Sequence, residues 1–255
     1  VSTPPPGAAL AGLAACLAAC LAACLAACLA ACLAACLAAG CARPDGLSFD
    51  GHDDLAQVQG VTGLDGDALT VEVWFTPAAG PPQGDLLARR AARGARDSFL
   101  LRVKAPGPVL EFGVGAGGQE WGLMGHSPLV LGQRSVAAAT HDRRTGQVRL
   151  YLDGKLEGEG HSTSPAGTGE DLALWLGGDP RWGPTGRPFS GRIHAACLFD
   201  QVRDAATVAV DAQTLPGPDT PGLRWRWTGD PADPTLVLGV LAGGDASDPR
   251  PVSVW

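Results

Sequence analysis

The clearest pattern of apolar and polar positions lies at residues 135–160, where three short runs are separated by two turn signals, Thr145-Gly146 and Asp153-Gly154. In the middle run Val148, Leu150 and Leu152 alternate with Gln147, Arg149 and Tyr151. A period of two gives a strand one apolar and one wet face. Asp-Gly between such runs predicts a type I′ hairpin, because both central residues must take a positive φ. The same alternation puts Leu69, Val71, Val73 and Phe75 on one face. Shorter strands are predicted at residues 47–49, 55–58, 86–88, 99–103, 109–114, 120–124, 172–176 and 191–199, with one or two helical turns at 207–214. Many short strands punctuated by Gly and Pro predict an all-β fold, a two-sheet antiparallel jelly-roll sandwich.

The N-terminal pattern is different in kind. Residues 1–41 hold a continuous Ala/Leu/Cys segment in which Leu-Ala-Ala-Cys repeats six times between Leu13 and Cys36. As a helix, a four-residue repeat advances about 400° per step, so the leucine stripe drifts and makes no coiled-coil seam. A Cys-x₃-Cys ladder on one element is also a poor zinc cage, since zinc sites draw ligands from more than one element. Residues 8–40 would form a helix of about 50 Å, against a hydrocarbon core of about 30 Å. Leu-Ala-Ala-Cys resembles the bacterial lipobox, in which a lipidated cysteine becomes the mature N-terminus. On that reading Cys41, which ends the apolar run, carries the lipid, with Cys36 as the alternative. No Lys or Arg precedes the run, so a basic leader region would have to lie upstream of Val1. A membrane helix and an assembling soluble helix are the other two readings of this apolar helical segment.

Charge and cysteine content narrow the rest. The first 42 residues carry no charge, so the net charge of −7 belongs to the remainder. An acidic balance argues against nucleic acid, which requires a basic face. Seven of the eight cysteines are at or before Cys41, so no disulfide framework staples the globular part. Cys197, in an apolar run, reads as a buried thiol. Residues 42–46 form a short linker, 47–215 the sandwich, and 216–255 a Pro-rich linker with one or two strands that either return to the sandwich or begin another module.

Several segments resemble, in order, the signatures of laminin-G-like, concanavalin A-like jelly-roll domains. They are Leu47-Ser48-Phe49-Asp50-Gly51-His52-Asp53-Asp54, Leu69-Thr70-Val71-Glu72-Val73-Trp74, residues 136–142 with 148–155, Leu174-Trp175-Leu176-Gly177-Gly178-Asp179, Pro188-Phe189-Ser190-Gly191-Arg192-Ile193 and Leu198-Phe199-Asp200-Gln201-Val202-Arg203. The resemblance spans about residues 47–215. It implies a binding or adhesion module at the cell envelope, with a glycan or an extracellular protein as partner. It also places the 135–160 meander at the centre of one sheet. Gln133-Arg134-Ser135 and Ile193-His194-Ala195 depart from the family pattern, which puts a family calcium site in doubt.

Candidate chemistry is sparse. Asp50, Asp53 and Asp54 supply hard oxygens suited to calcium, or equally an acidic turn. Trp182, with Arg181 and Asp179 in a Gly/Pro-rich loop, and Trp121 after a Gly-rich turn, are the candidates for stacking on sugar rings and bonding their hydroxyls. The five histidines have no ligand spacing. Gly113-Val114-Gly115 lacks the strand–helix unit of a dinucleotide loop. A jelly-roll hydrolase would need two facing carboxylates. Glu72 stands alone on its strand, and Glu157 with Glu159 form an i, i+2 pair at a Gly-rich strand end, so binding without catalysis is expected.

Overall fold

The computed structural model describes residues 46–80, 83–91, 97–116, 119–163, 172–179 and 188–240. Cys36, Cys41, Arg181 and Trp182 lie outside the described residues.

Among the described residues, fourteen strands and one short helix follow one another: β1 (Leu47–Asp50), β2 (Asp54–Val58), β3 (Ala68–Pro77), β4 (Gly84–Ala91), β5 (Asp97–Lys104), β6 (Val109–Ala116), β7 (Gln119–Met124), β8 (Ser135–Asp142), β9 (Gln147–Leu152), β10 (Lys155–His161), β11 (Leu172–Leu176), β12 (Ser190–Phe199), α1 (Ala205–Asp211), β13 (Leu223–Trp227) and β14 (Leu236–Val240). They form two seven-stranded sheets. One runs β1-β12-β3-β8-β9-β10, with β13 also paired to β12; the other runs β14-β2-β11-β4-β5-β6-β7. All pairings are antiparallel. The architecture is the jelly-roll sandwich that the alternation predicts.

The inward faces of the strands other than β10 supply one shared core. Leu69, Val71, Val73 and Phe75 of β3 meet Phe99 and Leu101 of β5 and Phe112 of β6, all fully buried. Each such side chain contributes about 1.5–3 kcal/mol relative to exposure. Strand β12 keeps this phase only through a bulge at His194: Ile193 pairs with Phe75 and Ala195 with Trp74. The extra residue puts Ile193, Ala196 and Leu198 inward, and sends Ala195, Cys197 and Phe199 to the other face.

The 135–160 meander forms β8–β10. Its first strand, β8, pairs with the central β3, and β9 and β10 continue from it to the sheet edge. The expected central placement holds for β8 and is corrected for β9 and β10: β3, set between β8 and the distant β12, takes the middle. The Asp153-Gly154 turn has φ of 50° and 76°, as a type I′ turn requires. Tyr151, expected on the wet face, is buried instead, because Val208 of α1 packs on it and on Ala138.

The C-terminal segment returns to the sandwich. β13 pairs with β12 and β14 with β2. β1 and β13 lie end to end along the same side of β12, one pairing residues 190–193 and the other 196–199. Gly46 and Gly229 meet at the junction. A Cβ on Gly46, whose φ is +107°, would lie 2.1 Å from the Ile193 carbonyl oxygen, and one on Gly229 would lie 2.5 Å from that of His194. Only glycine fits there.

Candidate functional site

The outer faces of the two sheets are built differently. On the first sheet, α1 and the chain after it form a roof. Asp204 caps α1 by accepting from the Thr207 N–H at 2.8 Å. Ala212, Leu215 and Leu223 pack on Trp74, Val136, Ala195, Cys197 and Phe199. Beneath the roof Arg203 donates to Asp211 at 2.6 Å, approaches Glu72 at 3.7 Å and lies 4.3 Å from the Phe199 ring centre. Burial, then the Asp211 charge, pushes the Glu72 carboxyl up to about 8 despite Arg203. Burial, then the Glu72 charge, raises the Cys197 thiol far above its ordinary value, so this thiol is buried and inert.

On the second sheet, Val237, Gln57, Trp175, Ala88, Leu100, Gly113 and Gly122 form one cross-strand row on the outer face. The middle of the row is buried, whereas Val237 and, beside the far end, Met124 are exposed. Arg102 donates to Glu111 at 2.8 Å on this face. Against the pull of burial, Arg102 and Lys104 hold Glu111 below the usual carboxylate range.

A cavity of about 300 Å³ opens where β2 and β11 part. Their pairing ends at Val58 and Leu174, so Gln59 and Gly60 diverge from Leu172 and Ala173. Val61, Leu64 and Leu172 supply aliphatic walls; Gln57, Gln59 and Arg89 supply polar groups. The loop after β2 is fixed from two sides. Arg143 donates to the carbonyls of Leu64 and Gly66 at 2.8 and 2.5 Å, and Arg89 donates to Asp65 at 2.5 Å. The cavity is therefore preformed. Its sequence signals are the Gln57, Gln59 pair at a strand end and the Arg89-Arg90 pair that follows the apolar run Leu86-Leu87-Ala88.

The candidates read from sequence are dispersed. Asp50, Asp53 and Asp54 do come together, with one ligand atom each within 4.8 Å of the others. Their arrangement is also that of a hydrogen-bonded turn: Asp50 accepts from the His52 N–H at 2.7 Å, and Asp54 from the Asp50 N–H at 3.0 Å. Burial first, with the like charges of Asp50 and Asp53, raises the Asp54 carboxyl although the Asp50 N–H opposes it. A cation would relieve that repulsion, and the three carboxylates would supply part of the oxygen shell that calcium takes. Asp54→Ala is expected to cost about 1–3 kcal/mol by orphaning the Asp50 N–H, as read by urea unfolding in chelator. Calcium held by all three would add a rise in melting temperature that disappears in Asp53→Asn.

Asp179 is buried and ion-paired with Arg90, which Asp85 also approaches at 3.4 Å. Its carboxylate is thus engaged within the protein. Trp121 is half-buried on β7 and packs against the core, its ring set over Gly160 of β10. Its ring closes the sandwich edge. The three acids weighed for hydrolysis lie apart in role: Glu72 is under the roof, Glu157 accepts from the N–H groups of His126 and Ser127 at 2.9 and 2.7 Å, and Glu159 pairs with Arg149 at 3.4 Å.

Two antiparallel sheets over one core, one of them roofed by a short helix, define a jelly-roll module. The chain belongs to the concanavalin A-like lectin/glucanases superfamily, whose family model matches residues 50–209. No curated protein matches it by sequence. Among solved structures it is similar to a nominal carbohydrate binding protein from Bacteroides ovatus, at 16% identity and a TM-score of 0.56 over 82% of this chain; the chain spans 62% of that protein's length. It is also similar to the heptameric SAP-like pentraxin of Limulus polyphemus, at 18% identity and 0.53, covering 77% of this chain and 94% of the pentraxin. The CBM40 of the Ruminococcus gnavus IT-sialidase matches at 16% identity and 0.50, over 64% and 97% of the two chains. At these identities the likeness is one of fold.

Proposed function

We propose that the protein is a non-catalytic carbohydrate-binding module of the cell envelope. The observation that carries this reading is the preformed cavity between β2 and β11, which sets amide and guanidinium groups against aliphatic walls. That combination suits sugar hydroxyls and ring C–H faces. The separate engagements of Glu72, Glu157 and Glu159 favour binding over hydrolysis, which requires two carboxyl groups about 5–9 Å apart across the scissile bond. The comparison with a nominal carbohydrate binding protein and with a CBM40 supports the same class.

A glycan panel incubated with the full chain tests the reading, with binding and release of reducing ends measured in parallel. Retention without turnover is expected; release of reducing ends would overturn the non-catalytic part. Arg181 and Trp182 are proposed as further ligand contacts, to be checked with Trp182→Ala. Anchoring through a lipid on Cys41, or on Cys36, is proposed from the Leu-Ala-Ala-Cys repeat. Mass spectrometry of the native N-terminus checks it, and an intact unlipidated segment would overturn it. Among the described residues no helix is long and apolar enough to cross a membrane.

A further inference from the structure

We propose that the cavity between β2 and β11 takes a saccharide bearing a carboxylate, with Arg89 as its anchor and Asp65 as the internal carboxylate it displaces. The inference rests on the carbohydrate-binding reading and adds the charge class of the ligand.

None of the residues that line the cavity is acidic, and Arg89 is its one cationic side chain. A planar guanidinium presents paired N–H donors whose spacing matches a carboxylate. One of these donors already holds a carboxylate, that of Asp65. The two partners differ in exposure: the Arg89 side chain is 10% exposed and that of Asp65 is 48% exposed. Asp65 therefore reaches in from solvent on the loop that leaves the fork, and its oxygen marks where a ligand carboxylate would be received. Because the Asp65 carboxylate is half in water, a ligand carboxylate can take its place on the buried Arg89 without leaving a buried, unpaired acid behind.

The surroundings favour the exchange. Arg143 lies close behind: burial first, and the Arg89 charge second, depress its guanidinium, while Asp65 and Asp67 oppose that shift. A ligand carboxylate in the place of Asp65 would feel the Arg143 charge beside that of Arg89, as Asp65 does. Arg143 stays tied to the Leu64 and Gly66 carbonyls, so the wall does not have to form anew. Gln57 and Gln59 each offer an amide donor and acceptor for vicinal hydroxyls. Val61, Leu64 and Leu172 give an apolar surface for the sugar ring. The volume is at the small end of ligand sites, which suits one terminal acidic sugar rather than a long chain.

The test is calorimetric titration of the full chain with hexuronate- and nonulosonate-terminated oligosaccharides, each beside its carboxyl-reduced counterpart. Acidic members are expected to bind, with affinity falling as salt rises, and the reduced counterparts to bind at least about tenfold more weakly. Arg89→Gln should lose about tenfold to a hundredfold for the acidic members alone. Asp65→Asn, which removes the competing carboxylate from an exposed position, should tighten them several-fold and leave neutral sugars unchanged. A thermal melt of each variant verifies its fold. If acidic and reduced sugars bind alike, or if folded Asp65→Asn fails to tighten the acidic ones, the charge inference is overturned while carbohydrate binding stands. If no saccharide of the panel binds, both fall.

Discussion

Trp227→Ala is expected to destabilise the protein by about 3–5 kcal/mol, the usual cost of deleting a buried aromatic. Trp227 is fully buried, and its indole N–H donates to the Asp230 carbonyl at 2.7 Å. It sits on β13, opposite Ala196 of β12, and reaches the main core. The loss should appear in urea unfolding as a lower midpoint at unchanged slope. Val237→Ala, on the exposed outer face of the neighbouring β14, is the control and should stay within about 0.5 kcal/mol. A small effect at Trp227 would mean that the C-terminal strands are appended to the sandwich rather than part of it.

The second large effect concerns pH. Glu72 is raised from an ordinary 4.5 to about 8 by burial and by Asp211. The folded state therefore holds this proton more tightly than the unfolded chain. The stability it contributes is complete below about pH 4.5 and is lost progressively as pH rises to about 8. At roughly 1.4 kcal/mol per unit of displacement, that is a few kcal/mol. His141 has the opposite sign. Burial first, and Arg143 second, lower it from 6.5 to about 4, so its contribution is complete above 6.5 and lost on acidification to about 4. Between about 4.5 and 6.5 the two slopes cancel, and these two groups alone give a plateau with a fall on either side. Glu72→Gln should abolish the alkaline fall and remove the plateau, leaving one acidic fall that runs from about 6.5 to about 4. Denaturation midpoints across pH 4–9 measure both limbs, and an unchanged alkaline limb in the variant would remove Glu72 as its cause.

How much of this was legible in the sequence depends on the range of the interaction. Period-two alternation marked β3 and β9, and Asp153-Gly154 marked a hairpin, because strand faces and turns are set by neighbours along the chain. The His194 bulge was not legible: Ile193, Ala195 and Cys197 read as one face until the extra residue shifts the phase. The burial of Tyr151 was hidden because Val208, which covers it, comes from a helix far along the chain. The acidic cluster was legible, since Asp50, Asp53 and Asp54 are close in sequence. The cavity was not, because it arises where the register between β2 and β11 runs out, and Arg89 enters it from a third strand. Asp179 looked like a loop acid and is instead held by Arg90, a pairing that sequence spacing cannot reveal.

The pairing of β1 and β13 along one side of β12, and of β14 beside β2, has a kinetic consequence. Each sheet joins strands from the two ends of the domain, so neither can be completed until the last strands have left the ribosome. Until then β12 lacks the partner for its second half, and the core lacks Trp225 and Trp227. Such a high contact order makes folding slow and defers it until the C-terminal strands have been made. The chain thus spends its early life with open strand edges, and Gly46 and Gly229 can meet only at the end.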